Sequence, residues 1–119
     1  MRKKSLGNLG ENLALKHLHK QGYTILERNF RSKFGEVDII AQDGEVLVFI
    51  EVKTRWSQKY GPPEEAITPG KIKRIIKVSQ YYKMLHPQSP EAMRIDAVAI
   101  DLSPSGGFKE IKVIRNLTG

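Results

Sequence analysis

Two apolar runs carry carboxylates where a buried strand should have none. Gly35-Glu36-Val37-Asp38-Ile39-Ile40 and Val46-Leu47-Val48-Phe49-Ile50-Glu51-Val52-Lys53 flank Asp43-Gly44, a strong two-residue hairpin signal. With Gln42 paired to Glu45, the register predicts Glu36 opposite Glu51 and Asp38 opposite Phe49. Side chains alternate faces along a strand, and cross-strand partners share a face. Glu36, Asp38, Glu51 and Lys53 therefore project from one side, while Val37, Ile39, Ala41, Val46, Val48, Ile50 and Val52 fill the other. Burying an unpaired ion costs several kcal/mol, so carboxylates opposed on strands this apolar call for compensation. A divalent cation between them is the natural form.

The rest of the chain divides readily. Gly7 to about Gln21 reads as a helix, with Leu6, Leu9, Leu13, Ala14, Leu15 and Leu18 on its apolar face. Glu11 falls inside that face. It is either an N-terminal-turn acid favoured by the helix dipole or a carboxylate aimed at the acids of the hairpin. Tyr23 to Asn29 follows as a strand, and Arg31 to Gly35 as a basic connecting loop. Ser57 to Glu65 has no periodicity and reads as a loop over the site. Thr68-Pro69 starts a second helix, with threonine as N-cap and proline in the first turn. It runs to about Leu85, ahead of Pro87. Ile72, Ile75, Ile76, Ser79 and Tyr82 face inward, Lys73, Arg74 and Lys77 outward, and Lys71 lies on the inner flank. Arg94–Asp101 and Phe108–Arg115 close the chain as strands joined by Ser103-Pro104-Ser105-Gly106-Gly107. The expected organisation is one domain over 1–119 whose first six residues form a flexible basic N-terminus.

An acid followed on the next strand by Glu-x-Lys resembles the PD-(D/E)XK nuclease superfamily. The chain is more closely similar to the small bacterial YraN/UPF0102 group, which itself resembles archaeal Holliday junction resolvases. Gly10-Glu11-Asn12-Leu13-Ala14, Arg28-Asn29-Phe30-Arg31, Gly35-Glu36-Val37-Asp38, Val48 to Arg55 and Arg94-Ile95-Asp96 carry this resemblance, from about Gly7 to about Val98. Val37 stands where the superfamily pattern has proline. The resemblance implies a restriction-endonuclease-like α/β fold, αβββαββ, with a mixed central sheet flanked by helices. It also implies a Mg²⁺- or Mn²⁺-dependent DNA endonuclease acting on branched or junction DNA. Asp38, Glu51, Lys53 and Glu11 would be its catalytic residues. The Val52 backbone carbonyl would join Asp38 and Glu51 on the metal. Symmetric junction cleavage needs two active sites, hence a homodimer.

The residues themselves fit such roles. Asp38 and Glu51 supply hard oxygen ligands suited to Mg²⁺ or Mn²⁺. Lys53 shares the Glu51 face, where its ammonium can orient water or stabilise charge on a phosphate. A surface salt-bridge ladder is the bland alternative, and the apolar runs around these residues argue against it. Glu36 is a further ligand, an outer acid, or a partner of Arg31 or Arg55. Arg55 continues the Lys53 face, either toward a phosphate or as a solvated strand end. Trp56 and Tyr60 are placed to stack on bases or, for Trp56, to cover the core. His17, His19 and His86 show no ligand spacing and read as structural or solvent-facing.

The charge balance points the same way. The net charge is +7, and it is unevenly spread. Residues 1–35 hold eight Lys/Arg against two acids, and residues 53–83 hold another eight against two. Basic segments around an acidic centre suit DNA, with Arg31, Lys33, Arg55, Lys71, Lys73, Arg74 and Lys77 as candidate phosphate contacts. The absence of cysteine excludes disulfides and thiolate metal sites. No apolar run reaches the ~18 residues that span a bilayer. The charged start at Arg2-Lys3-Lys4 is followed by Gly, Asn and Glu rather than an apolar stretch, so no signal peptide or membrane role is expected. A cytoplasmic protein fits these features.

Overall fold

A helix, a three-stranded meander, a crossover helix and two further strands succeed one another along the chain. The computed structural model describes residues 3–56, 67–103 and 108–118, with the side chains of 3–8, 56, 108 and 109 left outside. The predicted loop over 57–65 with Tyr60, residues 104–107 of the last turn, Arg2 and the Trp56 side chain thus lie outside the described residues. The elements are α1 (Lys3–Lys20), β1 (Thr24–Ser32), β2 (Gly35–Asp43), β3 (Val46–Trp56), α2 (Pro69–Leu85), β4 (Ala92–Leu102) and β5 (Phe108–Ile114). This is the expected αβββαββ order.

The strands form one sheet in the order β1-β2-β3-β4-β5. Among the described strands, β3 and β4 alone pair in parallel. A parallel pair needs a long crossover, and α2 supplies it. Thr68 caps α2 as expected, its Oγ1 accepting from the Lys71 N–H at 3.2 Å, with Pro69 in the first turn. Each face of the sheet carries its own core. On the α1 side, Ala14 and Leu18 pack on Ile39, Ala41, Val48, Ile50, Val98, Ile100 and Leu102. On the α2 side, Ile75, Val78 and Tyr82 pack on Val37, Ile40, Leu47, Phe49 and Ile95. At ~25 cal/mol per Å² of apolar area, each fully buried Ile, Leu or Phe contributes roughly 1.5–3 kcal/mol to holding these layers together.

The β2–β3 register differs from expectation. Asp43 pairs with Val46 and Ile39 with Ile50, so the loop is Gly44-Glu45 rather than Asp43-Gly44. Gly44, at φ +62°, takes the first loop position, where a type II′ turn wants glycine. Asp43 is kept in the ladder by its carboxylate, which accepts from Arg94 at 2.9 Å and Arg115 at 3.1 Å. Each pairing moves by two residues, which preserves the face assignment. Counting on from Ile39 and Ile50, Glu51 comes level with Asp38, not Glu36.

Strict alternation also breaks at Asp38. Val37 joins Ile40 on the α2 side, while Ile39 stays with the α1 core. Across β1, the pairs Arg28–Ile39 and Phe30–Val37 bracket Asn29, which sits in the left-handed region at φ +51°. The sheet is therefore distorted beside the key acid. The predicted basic loop over 31–35 is a tight hairpin instead, with Ser32 paired to Gly35 around Lys33-Phe34. The Ser32 hydroxyl accepts from the Phe34 N–H, a local bond that takes the place of an Asn-Gly signal. The first helix starts at Lys3, four residues before the expected Gly7. No helix among the described residues is long and apolar enough to cross a membrane.

Candidate active site

Asp38 and Glu51 stand where β2 and β3 cease to share a main-chain ladder. Past Ile39 and Ile50 the Asp38 Oδ2 accepts the Val52 N–H at 2.8 Å, so a side chain replaces the missing strand bond. This fixes the Asp38 carboxylate against β3. Burial raises the Asp38 pKa, and the charges of Glu11 from α1 and Glu36 add to the rise. The Val52 N–H and Lys71 from α2 oppose it. Asp38 thus lies within the fields of both helices.

Glu51 is the most perturbed acid of the site. Its side chain is 16% exposed. Burial, and then the charge of Asp38, push its pKa up to about 7, against the pull of Lys71 and Arg74. Lys71 Nζ stands 3.7 Å from Glu51 Oε2. The other oxygen, Oε1, is buried and has no hydrogen-bond partner among the described residues. An ionised carboxylate with one orphan oxygen, beside a second carboxylate, is a site prepared for a positive ligand.

Lys53 lies two residues beyond Glu51. It is half-buried and makes no ion pair among the described residues. Its neighbour across the parallel β3–β4 pair is Ala99, and that of Glu51 is Ala97. Such small partners leave the two long side chains room on that flank.

The remaining acids are placed differently. Glu11 is half-buried on α1, and its Oε1 lies 3.6 Å from Arg28, within ion-pair but beyond hydrogen-bond distance. Gly10, just before it, lets α1 approach β3 closely, since a Cβ there would fall 1.8 Å from Thr54 Oγ1. Of the readings open for Glu36, the structure has the pairing with Arg31, at 3.0 Å on an exposed hairpin. Among the described residues, no three His, Asp or Glu side chains form a group able to hold a metal ion. Asp38 and Glu51 form the core of the carboxylate centre, and Glu11, beside Arg28 and with a buried, unpartnered Oε1, acts on Asp38 electrostatically.

The candidate phosphate contacts divide. Arg31, Lys33, Lys73, Arg74 and Lys77 are exposed on the β1–β2 hairpin and α2. Arg74 packs over Gly35, where a Cβ would fall 2.8 Å from its Cδ. Lys71 belongs to the carboxylate pair instead. Arg55 turns inward, its Nε 3.2 Å from Asp101 Oδ1, with only 14% of its side chain exposed. The solvated strand end gives way to this pair, while Arg55 Nη2 is buried without a hydrogen-bond partner among the described residues. The parallel β3–β4 register sets Arg55 beside Asp101, and no spacing in the sequence shows that register. Nothing in the sequence marks Arg28 as the neighbour of Glu11. His86 caps α2 and stacks on Tyr82 at 4.0 Å, in keeping with a structural role.

A second polar cluster lies on the α1 side of the sheet. Fully buried Asp96 accepts from the Arg94 guanidinium, the Tyr23 hydroxyl and the Asn116 N–H, all within 3.0 Å. Arg94 also holds Asp43, and Arg115 lies 5.3 Å from the Tyr23 ring centroid. These bonds satisfy one another and tie the α1–β1 connection, the β2–β3 hairpin, β4 and the C-terminal segment together.

Residues 10–100 match the model of the family described as "Uncharacterised protein family UPF0102". A UPF0102 protein of Syntrophus aciditrophicus is 48% identical over 84% of this chain and 79% of its own. One of Caldicellulosiruptor saccharolyticus is 44% identical over 98% of both chains. A third, of Geobacter metallireducens, is 44% identical over 95% of this chain and 91% of its own.

Proposed function

The chain belongs to the UPF0102 family, and on that footing we propose that it is a metal-dependent DNA endonuclease hydrolysing phosphodiester bonds. The observation that carries the reading is the Asp38–Glu51 pair, with its orphan Glu51 Oε1 and raised pKa, beside Lys53. The donors are carboxylate oxygens only, which suits Mg²⁺ or Mn²⁺, and Asp38 and Glu51 are the residues that would hold the ion. When bound, such an ion supplies a water of lowered pKa and neutralises charge on the phosphate. Asp38, fixed by the Val52 N–H, gives the pair a rigid geometry. Lys53 Nζ stabilises the charge that grows on the phosphate oxygens and orients the attacking water. Lys71 holds Glu51 and limits repulsion within the pair. The exposed cations of the hairpin and α2 bind the flanking phosphates without reading sequence. Branched DNA is the proposed substrate, and symmetric cleavage of a four-way junction requires a dimer of such sites.

One observation favours a second reading, a nucleic-acid-binding module without catalysis. Glu11 and Glu51 each have a cationic neighbour, Arg28 and Lys71, and no three ligating side chains converge among the described residues. A cleavage panel separates the two. Single-stranded, duplex, flapped and four-way DNA are each incubated with Mg²⁺, Mn²⁺ or chelator. The nuclease reading expects metal-dependent products on at least one substrate, lost in Glu51→Gln. Binding without products in either metal leaves the module.

A further inference from the structure

The hairpin tip and the C-terminal half of α2 enclose a groove of about 450 Å³ lined by Lys33, Phe34, Lys77, Gln80, Tyr81 and Met84. Its floor is aromatic and apolar. Phe34 and Tyr81 meet edge-on at 5.9 Å, Phe30 backs Tyr81 at 6.4 Å, and Met84 is 69% exposed. Its rim is cationic: Lys33 Nζ lies 5.4 Å from the Phe34 ring centroid, and Lys77 closes the other side. None of the six lining residues is acidic. We propose that this groove binds an unpaired nucleotide of a single DNA strand, with its base against Tyr81 and Phe34 and its phosphates on Lys33 and Lys77.

Charge and shape select this occupant. Aromatic faces take bases of any sequence, and a cationic rim tracks the backbone, which is the usual pattern of single-strand sites. A continuous duplex offers no free base face to such a floor. The volume falls in the range of small-ligand sites. Helix α2 links the groove to the carboxylate pair. Lys71, Arg74, Lys77, Tyr81 and Met84 recur at helical spacing along one stripe of α2. Lys71 contacts Glu51, and Arg74 acts on it electrostatically while packing over Gly35 at the hairpin. From Lys71 to Tyr81 the helix rises about 15 Å at 1.5 Å per residue. That is about four steps at the 3.4 Å rise of one strand in duplex DNA, and fewer for an extended unpaired strand. The inference rests on the nuclease reading for the class of ligand and deepens it: the preferred substrate carries an unpaired strand within about four nucleotides of the bond cut.

The test is binding, with metal chelated so that cleavage plays no part. Fluorescent oligothymidylate and an abasic strand of equal length present the same phosphates, with and without bases. Tyr81→Leu should weaken oligothymidylate binding on the order of tenfold and leave abasic binding within about twofold. Tyr81→Trp keeps an aromatic face and should retain affinity, which controls for folding. Lys77→Ala should weaken both strands equally and reduce the log–log salt slope by roughly 0.7. Equal loss of both strands in Tyr81→Leu, or no loss of either, overturns the stacking site. A protein that never cleaves DNA can still pass this test, and one that cleaves can fail it, so the two proposals fall separately.

Discussion

Replacing Glu51 by glutamine should make the metal-free protein more stable, and only above mildly acidic pH. The folded Glu51 holds its proton up to about pH 7, against 4.5 for an unperturbed glutamate. Between those values the folded state is protonated where the unfolded chain is not, so stability falls as pH rises through the window. At 1.36 kcal/mol per pH unit, the full span is worth at most about 3 kcal/mol. Glu51→Gln keeps the shape and cannot ionise, so it escapes that loss. The pull of Lys71 on the ionised form is already contained in that raised pKa. The gain at pH 8 is then up to about 3 kcal/mol, shrinking toward zero near pH 4.5. Asp38, whose pKa is also raised, leaves a residual slope of the same sign. Asp43 is shifted the opposite way, downward through its bonds to Arg94, and its stability is lost only on acidification below this window. Urea unfolding of both proteins in chelator at pH 5 and pH 8 reads the difference. A wild-type stability that is flat or rises between these pH values refutes the reasoning, as does a variant that falls as steeply as wild type.

Three other perturbations have definite outcomes. Millimolar Mn²⁺ should raise the wild-type melting temperature, because a ligand bound only by the folded state adds about 2.7 kcal/mol at a hundredfold excess over Kd; Asp38→Asn should lose most of that shift, and keeping all of it would remove Asp38 from the ligand set. Gly10→Ala should destabilise the protein by roughly 1–3 kcal/mol by driving α1 off Thr54, despite alanine's better helix propensity. Thr54→Ala in the same chain should restore part of the loss in a thermal melt. Asp96→Asn should cost about 1–3 kcal/mol, since it removes one of the two carboxylates that hold Arg94 and leaves Asp43 as the other; a change under about 0.5 kcal/mol in urea unfolding would show that the network is dispensable.

Much of this architecture was legible because local signals agreed with the tertiary result. Thr68-Pro69 starts α2 as its capping chemistry dictates, and the apolar runs of β2 and β3 define an interior hairpin bearing Asp38, Glu51 and Lys53. What escaped depends on contacts distant in sequence. Asp43-Gly44 carries a turn signal, but Arg94 and Arg115 hold Asp43 in the ladder and shift the loop by one residue. The Lys33-Phe34 turn has no glycine between its strands, and its stability comes from Ser32 and from Gly35 beneath Arg74. Arg55 reads as a surface cation until the parallel register sets Asp101 beside it. Arg28 meets Glu11 only when β1 packs under α1. The groove at Tyr81 joins two elements some forty residues apart, Lys33-Phe34 and Lys77–Met84, and neither half is distinctive alone.

The most direct measurement is the single-turnover rate of Lys53→Ala against wild type, with Mn²⁺, on the branched DNA that wild type cuts best. Lys53 makes no ion pair among the described residues, so its removal should leave the fold intact. It is one of 20 basic residues, so DNA affinity should stay within about threefold. Loss of a group that stabilises transition-state charge typically lowers the rate by about 10²–10³-fold. The account predicts that fall in rate with binding retained. Lys53→Ala cutting at the wild-type rate, or a wild type that cuts nothing in Mn²⁺, contradicts it.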